Sequence, residues 1–155
     1  MSIYKRLESL GLELPPAPRP VAAYIPWMRT GNLIYTSGQI PIAGGKPLCV
    51  GIVPTEVPPD KANAAARLCA LNMLAVLHAA TDEDLDRVAR VVRLGVFVAC
   101  TPAFTGQSQV GNGASELMVE VFGEEIGRHA RSAVGCSALP LGVPVEVDGI
   151  FEIEG

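Results

Sequence analysis

Two side chains stand out as a matched set for handling a small organic acid, Arg131 and Glu146. Arg131 lies in Arg128-His129-Ala130-Arg131-Ser132-Ala133-Val134-Gly135, where a helical stretch gives way to small residues that read as a strand. Glu146 follows in Val145-Glu146-Val147-Asp148, a strand by its alternation of apolar and acidic residues. A planar guanidinium meets a carboxylate through two parallel charge-assisted hydrogen bonds, which the point charge of a lysine cannot reproduce. Such bonds contribute about 1.5–3 kcal/mol each. An ordinary glutamate is ionised at neutral pH and can take a proton from a water held beside it, if geometry brings the two together. On adjoining strands the pair would clamp an acid and orient a water. The plainer alternatives are an interface ion pair for Arg131 and a solvated strand glutamate for Glu146, as expected of Asp148, Glu152 and Glu154.

The elements that must position these residues can be read from periodicity and turn chemistry. Ile3, Leu7 and Leu10 recur at helical spacing and Gly11 follows, predicting a short helix over 2–10 with a glycine stop. Pro15, Pro16, Pro18 and Pro20 enforce an extended arm after it. Residues 23–29 and 33–39 read as a β-hairpin across Thr30-Gly31-Asn32, with a third strand over 48–53. Pro58-Pro59-Asp60 starts a long helix, with Asp60 as its cap and Ala64, Leu68, Leu71 and Ala75 on one face. A buried strand follows over 91–98. Residues 101–113, with Pro102, Gly106, Gly111 and Gly113, read as a long loop of the kind that often carries function. A second helix over 115–122 and strands over 132–138 and 143–153 complete the order β-β-β-α-β-α-β-β behind one small helix. No repeat or linker divides the chain, so residues 1–155 read as one domain, with the helix and proline-rich arm over 1–20.

Composition narrows the possible functions. A chain of 155 residues can bury roughly 68–70% of its unfolded surface and needs no metal or disulfide to hold a core. Apolar residues make up 49%, charged residues 18% and aromatics 5%, a poor supply of polar surface for a monomer and a hint of burial between subunits. Net charge is −4 and the pI about 5.1. The twelve Lys and Arg are scattered, which argues against a nucleic-acid binder. Cys49, Cys69, Cys100 and Cys136 are far apart in sequence and read as reduced thiols of a cytoplasmic protein. With only His78 and His129 to help them, no metal site is expected. The N-terminal residues lack the pattern of a signal peptide. The longest apolar run, 62–80, is broken by Asn63, Arg67, Asn72 and His78, as in a core helix and not a membrane span.

Tyr24, Thr36-Ser37-Gly38-Gln39-Ile40-Pro41, Ala130-Arg131-Ser132 and Leu139-Pro140, with Glu146 downstream, resemble the RidA/YjgF/YER057c/UK114 family of reactive-imine deaminases. The resemblance spans roughly Ala22 to Glu154. Asn112-Gly113-Ala114-Ser115, Val119 to Gly123 and His129 to Gly135 look like a longer branch labelled YjgF or L-PSP endoribonuclease-like. The resemblance implies an α+β, chorismate mutase-like fold. Its parts would be a mixed six-stranded sheet, two main helices on one face, and the short N-terminal helix. It also implies a homotrimer with clefts between subunits. By the same resemblance, Arg131 would grip a substrate carboxylate and Glu146 would position the attacking water. Gly38 would line the pocket with its backbone, or else make a tight bend. Tyr24 would supply a ring wall and a hydroxyl, or else plain packing. Ala133 stands where relatives often have cysteine, so a backbone amide survives there without a thiol. His129 replaces a common proline and is either a polar contact near the pocket or a surface histidine at a helix end.

The function so implied is hydrolysis of small 2-imino or enamino acids to 2-keto acids and ammonia, without a cofactor because a protonated imine is already electrophilic. Two other readings stay open. One is a non-catalytic trimer that binds a small carboxylate and regulates other proteins, and the other is RNA cleavage, as in the family's older label.

Overall fold

The computed structural model describes residues 1–19 and 23–155. Pro20 of the proline-rich arm and Ala22, where the resemblance begins, lie outside the described residues.

Helix α1, Ile3–Ser9, is capped by the Ser2 side chain, which accepts from the Lys5 amide. It stops at Gly11, whose φ of +69° suits a residue without Cβ. Strands β1, Trp27–Thr30, and β2, Leu33–Gln39, form the expected hairpin, with Gly31 at φ +58° in the turn. A small separate hairpin follows, β3, Ile42–Ala43, and β4, Lys46–Pro47. Then come α2, Pro59–Ala80, β5, Val88–Ala99, α3, Gln107–Gly127, β6, Ala130–Cys136, and β7, Val145–Ile153.

The main sheet has five strands in the order β1-β2-β7-β5-β6. All pairs are antiparallel except β5 with β6, which run parallel because α3 carries the chain back across the sheet between them. Strand β7 alternates strictly between buried and half-buried positions, the mark of a sheet covered on one face. Ile34, Leu94, Val96, Val98, Val145, Val147 and Phe151 form that covered face, fully buried or nearly so beneath α2 and α3. The opposite face carries exposed apolar side chains, Met28 at 59%, Tyr35 at 42% and Val134 at 47%.

The α+β expectation of two main helices on one face and one short N-terminal helix matches this architecture, with one difference in strand count. The stretch expected as a strand over 48–53 joins the sheet only at its end, through a single parallel bridge of Val53 to Cys100. Gly51 at φ +133° turns the chain on one side of it, and Pro54 on the other has no amide hydrogen for a ladder. Helix α2 begins at Pro59 behind an N-cap at Pro58 with no side-chain cap bond, so Asp60 sits in the first turn instead of capping it. The buried side of α2 runs through Ala62, Ala65, Ala66, Cys69, Ala70, Met73, Leu74 and Leu77. Of the expected face, Ala75 is buried, Leu68 and Leu71 are half-buried and Ala64 is exposed. Small alanines let α2 lie close against α3.

The largest departure is α3. It starts at Gln107, so Val110 to Gly113 are helical and the preceding loop is confined to Thr101–Gly106. Glycines disfavour a helix interior by about 1 kcal/mol each relative to alanine, yet both here have a packing reason. A Cβ on Gly113 would collide with the Asn63 carbonyl of α2, and one on Gly111 would stand 3.2 Å from Arg131 Nη1. The helix breaks at Gly123, with φ +85° and ψ 168°.

Candidate functional site

Arg131 reaches from edge strand β6 across the first turns of α3. Its Nη1 donates to Asn112 Oδ1 at 3.0 Å and to Ser115 Oγ at 3.1 Å, and Nη2 donates to the Ser108 carbonyl at 3.3 Å. Three of its five N–H donors are thereby engaged. The two left, on Nε and Nη2, suffice for a bidentate carboxylate. Behind Ser115 stands His129, with Nε2 2.8 Å from Ser115 Oγ and Nδ1 2.6 Å from the Gly127 carbonyl. Burial pushes the His129 imidazole below its usual range; the bond to Gly127 opposes this and the Arg131 charge adds to it. Ala133, two positions along β6 and opposite Val96, packs against the core on the same side as Arg131.

Glu146 belongs to a different neighbourhood. It is held on β7 opposite Phe97, half-buried beside the backbone of Gly38. Burial raises its carboxyl above the ordinary carboxylate range, and the negative charge of Asp148 raises it further. Among the described residues no donor or cation offsets this. Asp148 is itself raised by burial, with Arg93 and a backbone bond at Gly95 acting the other way.

Gly38 owes its place to Glu146. A Cβ there would lie 2.8 Å from both Glu146 Cδ and Oε2, closer than side-chain atoms pack. A β-bulge delivers this glycine, since Thr36 pairs with Gly149 but Gln39 pairs with Val147, which leaves one extra residue on β2. The Thr36 hydroxyl pins the register just before it, accepting from the Gly149 amide at 3.0 Å. Just after it, Asn72 of α2 donates to the Ile40 and Ile42 carbonyls at 3.0 Å each. Tyr24, 61% exposed, lines a cavity of about 460 Å3 together with Gly38, Ser37, Ile40, Asn72 and the arm residue Arg19.

The predicted site residues therefore fall into two groups. Arg131, His129 and Ala133 gather at α3 and β6; Glu146, Gly38 and Tyr24 gather at β2 and β7. Arg131 and Glu146 are not on adjoining strands, because β5 lies between β6 and β7. Nor do they share a face. Arg131 is opposite Leu94 and Glu146 opposite Phe97 in an unbroken stretch of β5, and an odd separation along a strand puts side chains on opposite faces. His129 is neither a free surface residue nor a simple helix end, since both ring nitrogens are engaged. Asn112 and Ser115 stand in sequence only within a family motif, and their role as partners of Arg131 is not legible there. Their i, i+3 spacing is the signal of one helical face, and the glycines nearby disguise its first turns as a loop, while Ser108 contributes only its backbone carbonyl.

A mixed sheet with two helices on one face, a glycine bulge beside a strand glutamate and an arginine cradled by the crossover helix define an α+β protein of the chorismate mutase-like kind. A family model described as "YjgF/chorismate mutase-like, putative endoribonuclease" matches residues 4–149. The chain belongs to that family. Protein TCP17 of Trypanosoma cruzi is 46% identical over 147 residues, covering 95% of this chain and 91% of that protein. The crystal structure of Atu1372 from Agrobacterium tumefaciens, a protein of unknown function, is similar with a TM-score of 0.92 at 47% identity, covering 98% of this chain and 92% of that one. The 2-iminobutanoate/2-iminopropanoate deaminase of Dermatophagoides farinae is 27% identical over 143 residues, 92% of this chain and 95% of that enzyme.

Proposed function

We propose that the protein hydrolyses small 2-imino acids to 2-keto acids and ammonia, in clefts that each take the Arg131 group from one copy and the Glu146 group from a neighbouring copy of a homotrimer. The observation that carries this reading is the division of the site. Among the described residues, Arg131 is braced yet keeps two donors free, while Glu146 stands without a partner on the other face of the sheet. Each group supplies what the other lacks. Exposed Met28, Tyr35 and Val134 on the open sheet face support burial of that face by further copies. The relationship to an imine deaminase supports the reaction class.

In this mechanism Arg131 binds the substrate carboxylate through Nε and Nη2, and the imine carbon lies toward Glu146. Glu146 accepts a proton from a water as the water oxygen bonds to the imine carbon. Glu146 hands that proton to the nitrogen of the resulting carbinolamine; the carbon–nitrogen bond then breaks as the hydroxyl gives its proton back to Glu146, and ammonia leaves the keto acid behind. Tyr24 and Gly38 wall the cleft beside the carboxylate of Glu146. Burial keeps Glu146 a stronger base than an exposed glutamate, which suits proton transfer near neutral pH.

The test is ammonia release from 2-iminopropanoate or 2-iminobutanoate generated in solution. Release above the spontaneous rate, lost in Arg131→Ala, is the expected result. Equal rates with and without protein across several imino acids would overturn the reading. A carboxylate-binding role without turnover is favoured only by the completeness of the Arg131 network within one chain. It predicts that 2-oxobutanoate binds equally well to Glu146→Gln and that no deamination occurs.

A further inference from the structure

The contacts behind Arg131 form a chain with a definite direction. The Gly127 carbonyl can only accept, so at 2.6 Å it fixes the proton of His129 on Nδ1. Neutral His129 then has a lone pair on Nε2. Ser115 Oγ, 2.8 Å away, must donate its proton to that nitrogen, because a guanidinium cannot accept one. With the hydroxyl hydrogen turned toward His129, the lone pairs of Ser115 Oγ face Arg131 Nη1, 3.1 Å off. Asn112 Oδ1 takes the other Nη1 hydrogen at 3.0 Å.

We infer that Ser115 and His129 are positioning residues for Arg131: the relay Gly127 carbonyl, His129, Ser115, Arg131 commits Nη1 to the protein and presents Nε and Nη2 to the ligand carboxylate. This deepens the deaminase reading and rests on it for the identity of the carboxylate. Without the relay the guanidinium would keep only its bonds to Asn112 and the Ser108 carbonyl and would be held less firmly in the orientation that offers Nε and Nη2. Ordering it beforehand removes an entropy cost from binding. His129 is well suited to the task. Burial and the nearby Arg131 charge both favour its neutral form, and the neutral form is the one that can accept from Ser115. Gly111 completes the arrangement by leaving room for Nη1 against the helix backbone, where a Cβ would stand 3.2 Å away. Ser115 lies on α3 and His129 in the short connection just before β6, so the relay also ties the crossover helix to the strand that carries Arg131.

Two measurements test this, one of which needs no substrate. Side-chain nitrogen NMR of the full chain at pH 7–8 should show His129 as the Nδ1–H tautomer, and Arg131 Nη1 and Nη2 as distinct, slowly exchanging signals. Ser115→Ala should speed the exchange between the two Arg131 signals, and Ser115→Thr, which keeps the hydroxyl, should preserve the parent behaviour. In deamination assays Ser115→Ala and His129→Ala should raise KM about tenfold with little change in kcat, the loss expected when a single hydrogen bond no longer orders a binding group. Ser115→Thr should restore the parent KM. An Nε2–H tautomer, or Arg131 signals indifferent to Ser115→Ala, would overturn the inference. Rapid labelling of Ser115 by a fluorophosphonate would do so too, by making it a nucleophile. If the parent chain releases no ammonia while the NMR signatures hold, the deaminase reading fails and the relay stands. If the parent deaminates and Ser115→Ala keeps both the KM and the Arg131 signals, the relay fails alone.

Discussion

The two halves of the candidate site solve opposite problems. Around Arg131 polar groups are joined in one network of Asn112, Ser115, the Ser108 carbonyl and His129. Around Glu146 the reverse holds, for a half-buried carboxyl lies beside another acid, Asp148, and is raised by both influences. Satisfied networks stabilise a fold and fix a geometry. An unsatisfied acid costs stability and is retained where a reaction needs a base. On the proposed function, binding and proton transfer fall to separate elements, and substitutions in the two halves should have different signatures.

The largest effect is expected at Glu146. Glu146→Gln should lower kcat by roughly 10²–10⁴-fold, the usual worth of a general base, and leave KM nearly unchanged in ammonia-release assays. Arg131→Ala should lower kcat/KM by about 30-fold or more, as removing one partner of a desolvated charge pair costs about 2–5 kcal/mol, and here KM should move. A Glu146 variant with a raised KM and a normal kcat would erase the distinction between the halves. Gly38→Ala comes next. Its methyl group would displace the Glu146 carboxylate, and a misplaced base should lose roughly ten- to a hundred-fold in kcat while circular dichroism shows the fold intact.

The smallest effects concern pH and stability. Glu146 must be ionised to accept a proton, so activity should fall on the acidic side with a midpoint above the ordinary carboxylate value. Asp148→Asn removes the neighbouring negative charge and should shift that midpoint down. The sign for stability is opposite to that of a salt-bridged acid. A carboxyl raised in the folded state contributes stability that is present below its unfolded pKa and is lost as pH rises through the folded value. Glu146→Gln should therefore match or exceed the parent Tm at pH 7, whereas Ser115→Ala should lower it. A lower Tm for Glu146→Gln would show that the carboxylate has a partner after all.

Local chemistry made much of this legible in sequence. Gly11 and Gly31 marked a helix stop and a hairpin turn because a positive φ is a property of one residue. The buried run around Leu94 to Val98 announced β5, and Arg131, Glu146 and Gly38 were visible as chemical types in a familiar order. What stayed hidden was non-local. Whether β7 neighbours β6 or inserts beyond β5 depends on pairings between distant residues, and that choice puts Arg131 and Glu146 on opposite faces. The start of α3 was obscured because Gly111 and Gly113 serve contacts with Arg131 and Asn63, which no local propensity records. With the first turns of that helix read as a loop, the face that Asn112 and Ser115 share could not be seen.

Complementation between chains probes the shared cleft most directly. Arg131→Ala and Glu146→Gln chains, each inactive alone, are unfolded together in equal amounts, refolded and assayed for deamination of 2-iminobutanoate. If each cleft takes Arg131 from one copy and Glu146 from the next, random assembly restores both intact groups to about one cleft in four, and about a quarter of the parent activity returns. If both groups act within a single copy, no cleft regains the pair, and a mixture as inactive as its components would contradict the shared site.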